Sequence, residues 1–177
     1  MKVVKIELLG APCYLSFTGE AMFQIREKFG GVKELLERVQ PDTREGAAAL
    51  CEAVAILAEQ AELGRRHLGY TPCEVPNAET LAAAIMPLEL IAMKAALPRA
   101  IELGYGREVR EEDDEIDLGL AELRQKKNDL TRAHYIRMGT VCGISVKEAL
   151  LMTPGELFDV FELYLRANRP QKEKEVD

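Results

Sequence analysis

Two short stretches near the start of the chain alternate between apolar and polar residues. The apolar members are Val4, Ile6 and Leu8 in the first stretch and Cys13, Leu15 and Phe17 in the second. Gly10-Ala11-Pro12, which lies between them, has the composition of a turn. A period of two places alternate side chains on one face of a strand, so the pattern predicts an N-terminal β-hairpin. A lone hairpin is marginally stable in water, so helices are expected to cover its apolar face.

After the hairpin, apolar residues recur at three- and four-residue spacing, which is typical of amphipathic helices. The first helix is predicted to follow Thr18 as its cap and to end at Gly30-Gly31, because glycine adopts the left-handed conformation at little cost. A short helix over residues 32–39 comes next. A long helix then follows, with Asp42 or Thr43 as its cap.

Another helical stripe follows the cap candidates Asn77 and Thr80. Its apolar members are Met86, Leu90, Met93, Leu97 and Ile101. Pro87 and Pro98 interrupt the stripe, and each predicts a kink or the start of a new segment.

Two capping boxes predict short helices near the C-terminus. Ser145 with Glu148, and Thr153 with Glu156, have the required spacing, and Pro154 suits the first position of a helix. Residues 111–115, which precede this region, are all acidic and repel one another. They indicate a linker or a solvated start of a helix.

These patterns predict a mainly α fold of the α+β kind, in which an N-terminal β-hairpin packs on a helical domain and a small C-terminal helical segment follows. Residues 1–110 form the predicted hairpin-plus-helices domain, and residues 111–130 an acidic and polar linker or helix. Residues 131–170 form a small helical module, and residues 171–177 a disordered tail. The domain of residues 1–110 is expected to fold alone, because its apolar stripes can pack against one another without the C-terminal part.

Charge and composition narrow the classes of partner. The chain carries 23 Lys and Arg against 30 Asp and Glu, a formal net charge of −7. This acidic balance argues against a nucleic-acid partner, which requires a basic face. No apolar run reaches the ~18 residues that cross a bilayer, and the first residues lack a signal-peptide core, so a cytoplasmic protein without membrane contact is expected. The four cysteines show no C-x-x-C spacing and are expected to be free thiols.

The sequence offers no complete site for a metal, a cofactor or a catalytic reaction. His67 lies near Cys73 and His134 near Cys142, but structural zinc needs four ligands at close spacing. The chain has neither a G-x-S-x-G elbow nor a phosphate-binding loop. We therefore expect a non-enzymatic protein without metal or cofactor.

A turn at residues 143–148 resembles the turn of a DNA-binding helix pair. The helix after it carries Glu156, Asp159 and Glu162 where a DNA-binding helix would carry arginines. Because a phosphate backbone repels such a surface, DNA binding is not expected.

Met86, Leu90 and Met93 are one candidate for partner binding. Methionine repacks easily against different ligands, so these residues could form an adaptable groove. A stripe at this spacing is also typical of a core, and both interpretations stay open.

Tyr135, Phe158 and Tyr164 are a second candidate, and Phe161 lies among them in the sequence. Phe161 is expected to pack internally, whereas the other rings could anchor a partner, because aromatic side chains dominate interface energetics. In the alternative interpretation the segment of residues 131–169 folds back onto the main domain and all four rings belong to the core.

Several segments together resemble the tail assembly chaperones of long-tailed bacteriophages and prophages. The residues that carry the resemblance are the hairpin and helix ending in Phe29-Gly30, the short helix Val32 to Val39, the long helix Ala47 to Leu68, and the C-terminal runs Gly143-Ile144-Ser145 and Met152-Thr153-Pro154-Gly155-Glu156-Leu157-Phe158. In that family the second part is often joined to the first only by translational frameshifting, whereas here both lie in one chain. Short, long and non-frameshifted forms therefore stay open.

The resemblance implies a non-enzymatic role in virion assembly. Such proteins bind the tape-measure protein, keep its long apolar helices soluble and help to recruit tail tube subunits. They act in the cytoplasm of the bacterial host and leave before the virion is complete. Homo-oligomer formation is compatible with this role. The alternatives are a helical DNA-binding regulatory adaptor and a structural tail or neck subunit.

Overall fold

A computed structural model describes residues 2–109 and 130–168 of the 177-residue chain. In chain order its elements are strands β1 (Val4–Leu8) and β2 (Ala11–Leu15) and helices α1 (Gly19–Phe29), α2 (Val32–Val39), α3 (Arg44–His67), α4 (Ala78–Ala84), α5 (Pro87–Tyr105), α6 (Arg132–Val141), α7 (Val146–Leu151) and α8 (Pro154–Ala167). The predicted fold class is confirmed, because an antiparallel hairpin opens a mainly helical chain.

The hairpin turns at Leu9 and Gly10, which lie between β1 and β2. Both residues have positive φ, 54° for Leu9 and 75° for Gly10, which is the combination that tight two-residue hairpins favour. The turn therefore begins before the predicted Gly10-Ala11-Pro12 run, and Pro12 pairs with Glu7 inside the sheet. β2 packs along α3 and β1 along α5, so helices cover the hairpin as expected.

The predicted caps largely account for where the helices begin. The Thr18 hydroxyl accepts from the N–H of Ala21 at 3.2 Å, Thr43 rather than Asp42 caps α3, and Asn77 rather than Thr80 caps α4. Both predicted capping boxes are present, at the starts of α7 and α8.

The two prolines in the α5 region differ in their effect. Pro87 is the first residue of α5, whereas Pro98 lies inside the helix and does not begin a new segment. Gly30 ends α1 with a φ of 91°, a conformation that favours glycine.

Helix α3 lies at the centre of the core. Leu50, Val54 and Leu57 are fully buried along it, and it contacts β2, α1, α2, α4, α5 and α7. Its backbone also bonds the residue that follows β2, because the Leu57 carbonyl accepts from the N–H of Ser16 at 3.1 Å. Within residues 2–109 and 130–168 the buried apolar side chains, apart from Ala61, form one continuous cluster.

The C-terminal helices belong to that same cluster. Helix α7 packs on α1 and α3, and α8 packs on α5 and α6. The carbonyl of Met152, between α7 and α8, accepts from the N–H of Gly19 at 2.8 Å. The segment therefore lies on the main body, as the fold-back interpretation expected. Whether residues 1–110 fold alone stays a prediction. The predicted linker or helix before Leu130 and the predicted tail of residues 171–177 lie outside the described residues.

No helix in the described ranges is both long enough and apolar enough to cross a membrane.

Candidate functional site

The outer side of α5 exposes an apolar face near the start of the helix. Met86, Leu88 and Ile91 are 64%, 80% and 64% exposed, and Ala95 and Pro98, further along, are exposed as well. From Leu88 onward these residues recur at three- and four-residue steps, so they lie on one side of the helix. We call Met86, Leu88, Ile91, Ala95 and Pro98 the α5 outer face.

The opposite side of α5 is apolar too, and it is buried. Met93 and Leu97 are fully inaccessible to solvent and Ile101 nearly so. A helix that is apolar on both sides is normally covered on both sides, and a contiguous exposed apolar patch marks an interaction site. The α5 outer face is therefore the strongest candidate for a partner surface in the part of the chain that the structure describes.

Polar contacts fix α5 to the body of the protein. The Glu89 carboxylate accepts from the N–H of Met86 at 2.9 Å and from the N–H of Leu9, in the hairpin turn, at 2.6 Å. Further along the helix, the Lys94 ammonium donates to the Asp42 carboxylate, and this hydrogen bond lowers the pKa of Asp42. The outer face is consequently presented on a helix whose position is already set.

The predicted groove of Met86, Leu90 and Met93 is only partly exposed. Met86 lies on the α5 outer face, but Leu90 is half-buried and Met93 is fully buried. The interpretation of Met93 as accessible to a partner is wrong, because its side chain is fully buried in the core. Sequence reasoning missed Leu88 and Ile91, which a separate search of the opposite side of the same helix would have found.

Tyr135 is also unavailable to a partner. Its side chain is fully buried, its ring lies 5.5 Å from that of Phe23 and 6.5 Å from that of Phe158, and its hydroxyl donates to the Met152 carbonyl at 3.2 Å. Burial raises the pKa of the Tyr135 phenol. The interpretation of Tyr135 as an exposed anchor is wrong, because this ring fills the contact between α1 and the C-terminal helices.

The other three rings of the aromatic group are half-buried. Phe158 and Phe161 pack against the core, and Tyr164 lies further along α8. A role for Phe158 and Tyr164 in partner binding stays a prediction.

A buried charge cluster joins residues 107 and 108 to α8. The Arg107 guanidinium donates to Asp159 at 2.8 Å and also to Glu162, while the N–H of Glu108 donates to Asp159 at 2.7 Å. Desolvation raises the pKa of both acidic groups, but the hydrogen bonds outweigh it, so the pKa of Asp159 and that of Glu162 are lowered. Each carboxylate is matched by donors, which indicates a structural role.

A second cluster surrounds Glu62 near the end of α3. Its carboxylate accepts from Arg66 at 2.8 Å and from the N–H of Cys73 at 2.9 Å, and Arg65 lies 4.2 Å from the centroid of the Tyr14 ring. The Cys73 hydrogen bond fastens the segment before α4 to α3, and the Arg65–Tyr14 contact joins α3 to β2.

Across residues 2–109 and 130–168, no group of three or more His, Cys, Asp or Glu side chains is arranged to bind a metal ion. His67 Nε2 lies 3.8 Å from Glu148 Oε1. Comparisons with models of protein families, with curated proteins and with solved structures found no significant match to this chain.

Proposed function

We propose that this chain is a non-enzymatic tail assembly chaperone of a long-tailed bacteriophage or prophage, which binds the tape-measure protein and helps to recruit tail tube subunits in the cytoplasm of the bacterial host. The observation that supports this proposal best is the α5 outer face. Leu88 and Ile91 would be expected in a core, yet both are largely exposed. A chaperone needs such a surface to cover the apolar side chains of its client.

The shape of the surface favours a helical client. From Leu88 to Pro98 the α5 outer face follows one side of a helix for about 16 Å, at the usual rise per residue. An amphipathic helix can lie along such a stripe with its own apolar residues at i, i+3, i+4 and i+7. Tape-measure proteins, which the sequence resemblance implies as partners, supply long helices of this kind.

The charge of the chain suits the same role. A net charge of −7 keeps a protein with exposed apolar residues soluble through mutual repulsion. The complex with an apolar client helix would inherit that charge and stay dispersed.

The proposal is tested by co-expressing the chain with the tape-measure protein encoded in the same phage genome. We expect the wild-type chain to keep the tape-measure protein soluble, and Leu88→Asp to lose this effect, because a carboxylate in the contact must be desolvated without a partner. Val146→Asp is the matched control, because Val146 is also exposed, at 49%, but lies on α7, away from the α5 outer face. If the tape-measure protein is equally soluble with the wild-type chain and with Leu88→Asp, the proposed site is contradicted.

The structural-subunit alternative makes a different prediction. A chaperone is expected to be absent from purified virions, whereas a tail or neck subunit would be present in stoichiometric amount. Mass spectrometry of purified particles separates the two roles.

A further inference from the structure

A groove of about 510 Å³ lies between the C-terminal end of α3 and one side of α8. Its lining is mostly apolar and includes Leu68, Leu151, Val160 and Leu163. Leu68 and Leu163 are 58% and 52% exposed, although both are large apolar side chains. A volume in this range is typical of sites that bury much of a bound ligand.

Carboxylates surround this apolar lining. Glu108, Glu148, Glu156 and Asp159 line the groove, against one imidazole, that of His67. Asp159 is already matched by Arg107, whereas the Glu108 side chain is largely exposed, with the Lys2 ammonium 3.8 Å away. The rim of the groove is therefore acidic at neutral pH.

The Glu148 carboxylate contributes a negative charge to the rim. Hydrogen bonds from the Ser145 side chain and backbone lower the pKa of the Glu148 carboxyl. Its other oxygen, Oε1, is 3.8 Å from Nε2 of His67, which also lines the groove.

From this apolar lining and acidic rim we propose that the α3–α8 groove binds an amphipathic helix of a partner protein, with apolar side chains flanked by Lys or Arg. The apolar residues of the partner would lie against Leu68, Val160 and Leu163, and its cations beside Glu108 and Glu148. Complementary charges of this kind select the partner and speed its association. The groove shares no lining residue with the α5 outer face, so the inference does not depend on the proposed function.

The inference is tested with two fluorescein-labelled helical peptides of about 18 residues, long enough to form a helix on binding. They have the same leucine positions, and the remaining positions are Lys in one and Glu in the other. Fluorescence anisotropy with the full chain should show that the Lys peptide binds at least about tenfold more tightly than the Glu peptide.

Variants then locate the binding site. Leu163→Asp should weaken binding of the Lys peptide at least about tenfold, and Glu108→Gln with Glu148→Gln should weaken it several-fold. Glutamine keeps the capping-box position at residue 148, so the helix start is preserved. Circular dichroism and thermal melts establish that each variant is folded.

Two controls distinguish binding in the groove from attraction to net charge and from binding on the α5 outer face. Glu27→Gln with Glu37→Gln removes the same charge from exposed positions on α1 and α2 and should leave binding unchanged. Leu88→Asp should also leave it unchanged. An equal loss with the first control would show attraction to net charge alone, and a loss with Leu88→Asp but not Leu163→Asp would place the peptide on the α5 outer face. Either result would overturn the inference without deciding the proposed function.

Discussion

The ring of Tyr135 packs directly against the backbone of Gly19, and local sequence patterns do not reveal this contact. A Cβ atom at position 19 would lie 2.4 Å from Cε1 of Tyr135, so only glycine leaves room for the ring. The contact joins α1 to α6, which are far apart in the chain. A pattern of apolar spacing identifies an aromatic group on a helix, but it contains no information on which distant backbone that group meets.

Ile25 and Ile91 allow one substitution to be compared in two environments. Ile25 is fully buried on α1, whereas Ile91 is 64% exposed on α5. Ile25→Ala should lower the free energy of unfolding by about 2–5 kcal/mol, because it removes buried surface and leaves a cavity. Ile91→Ala should change it by less than about 0.5 kcal/mol.

Urea denaturation monitored by circular dichroism measures both effects. A loss below about 0.5 kcal/mol for Ile25→Ala would mean that Ile25 is not a core residue. A large loss for Ile91→Ala would mean that the α5 outer face is covered within the folded chain.

At the scale of elements, the positions of the strands and of the helix starts could be predicted from the local sequence. The exposed side of α5 could not. The Ser145 and Thr153 capping boxes could be predicted because the donors and acceptors lie three residues apart. Helix α5 is apolar on both sides, so a search for one stripe found Met93 on the inner side and missed Leu88 on the outer side. The candidate site was therefore only partly predictable.

The attachment of α8 through Arg107 should make stability depend on pH. Asp159 and Glu162 have pKa values below their ordinary 3.8 and 4.5 in the folded chain. Their contribution to stability is thus complete above the unfolded-state pKa and is lost as the pH falls through the folded-state pKa. We expect Arg107→Gln to be less stable than wild type at neutral pH, with a difference that shrinks between about pH 5 and pH 2.

Urea unfolding at several pH values tests this expectation. Lys33→Gln is the control, because it breaks the exposed pair with Glu37 and should leave the pH dependence as in wild type. A difference between wild type and Arg107→Gln that stays constant over this pH range would exclude the two carboxylates as its source.

At the scale of the whole molecule, the arrangement of hairpin and helices could be predicted, whereas the return of the C-terminal helices onto the body was one of two interpretations that the sequence left open. The charged block after residue 110 indicates a boundary in composition. The core nevertheless continues across it, since Tyr135 and Leu157 lie in the same buried cluster as Leu15 and Phe17. The ion pairs of Arg107 with α8 have no local signal, because their partners lie more than 50 positions further along the chain.

A chain that ends at Arg110 tests how far the body is independent. We expect a cooperative thermal transition, because the hairpin and α1–α5 contain most of the buried residues. Its Tm should be lower than that of the full chain, because the truncation uncovers Phe23 and the side of α5 that α8 contacts. Loss of the cooperative transition would show that residues 1–110 are not a folding unit, and an unchanged Tm would show that the C-terminal helices add no stability.

The bridge made by Glu89 gives the α5 outer face a spectroscopic reporter in another element. The Leu9 amide proton is directed to a carboxylate oxygen 2.6 Å from its nitrogen, and the same carboxylate receives the first amide of the α5 start. A ligand that displaces the first turn of α5, even slightly, is therefore expected to alter the Leu9 hydrogen bond. The amide resonance of Leu9 would then move in a ¹H–¹⁵N spectrum, so that a single peak from the hairpin turn follows occupancy of a surface on the helix.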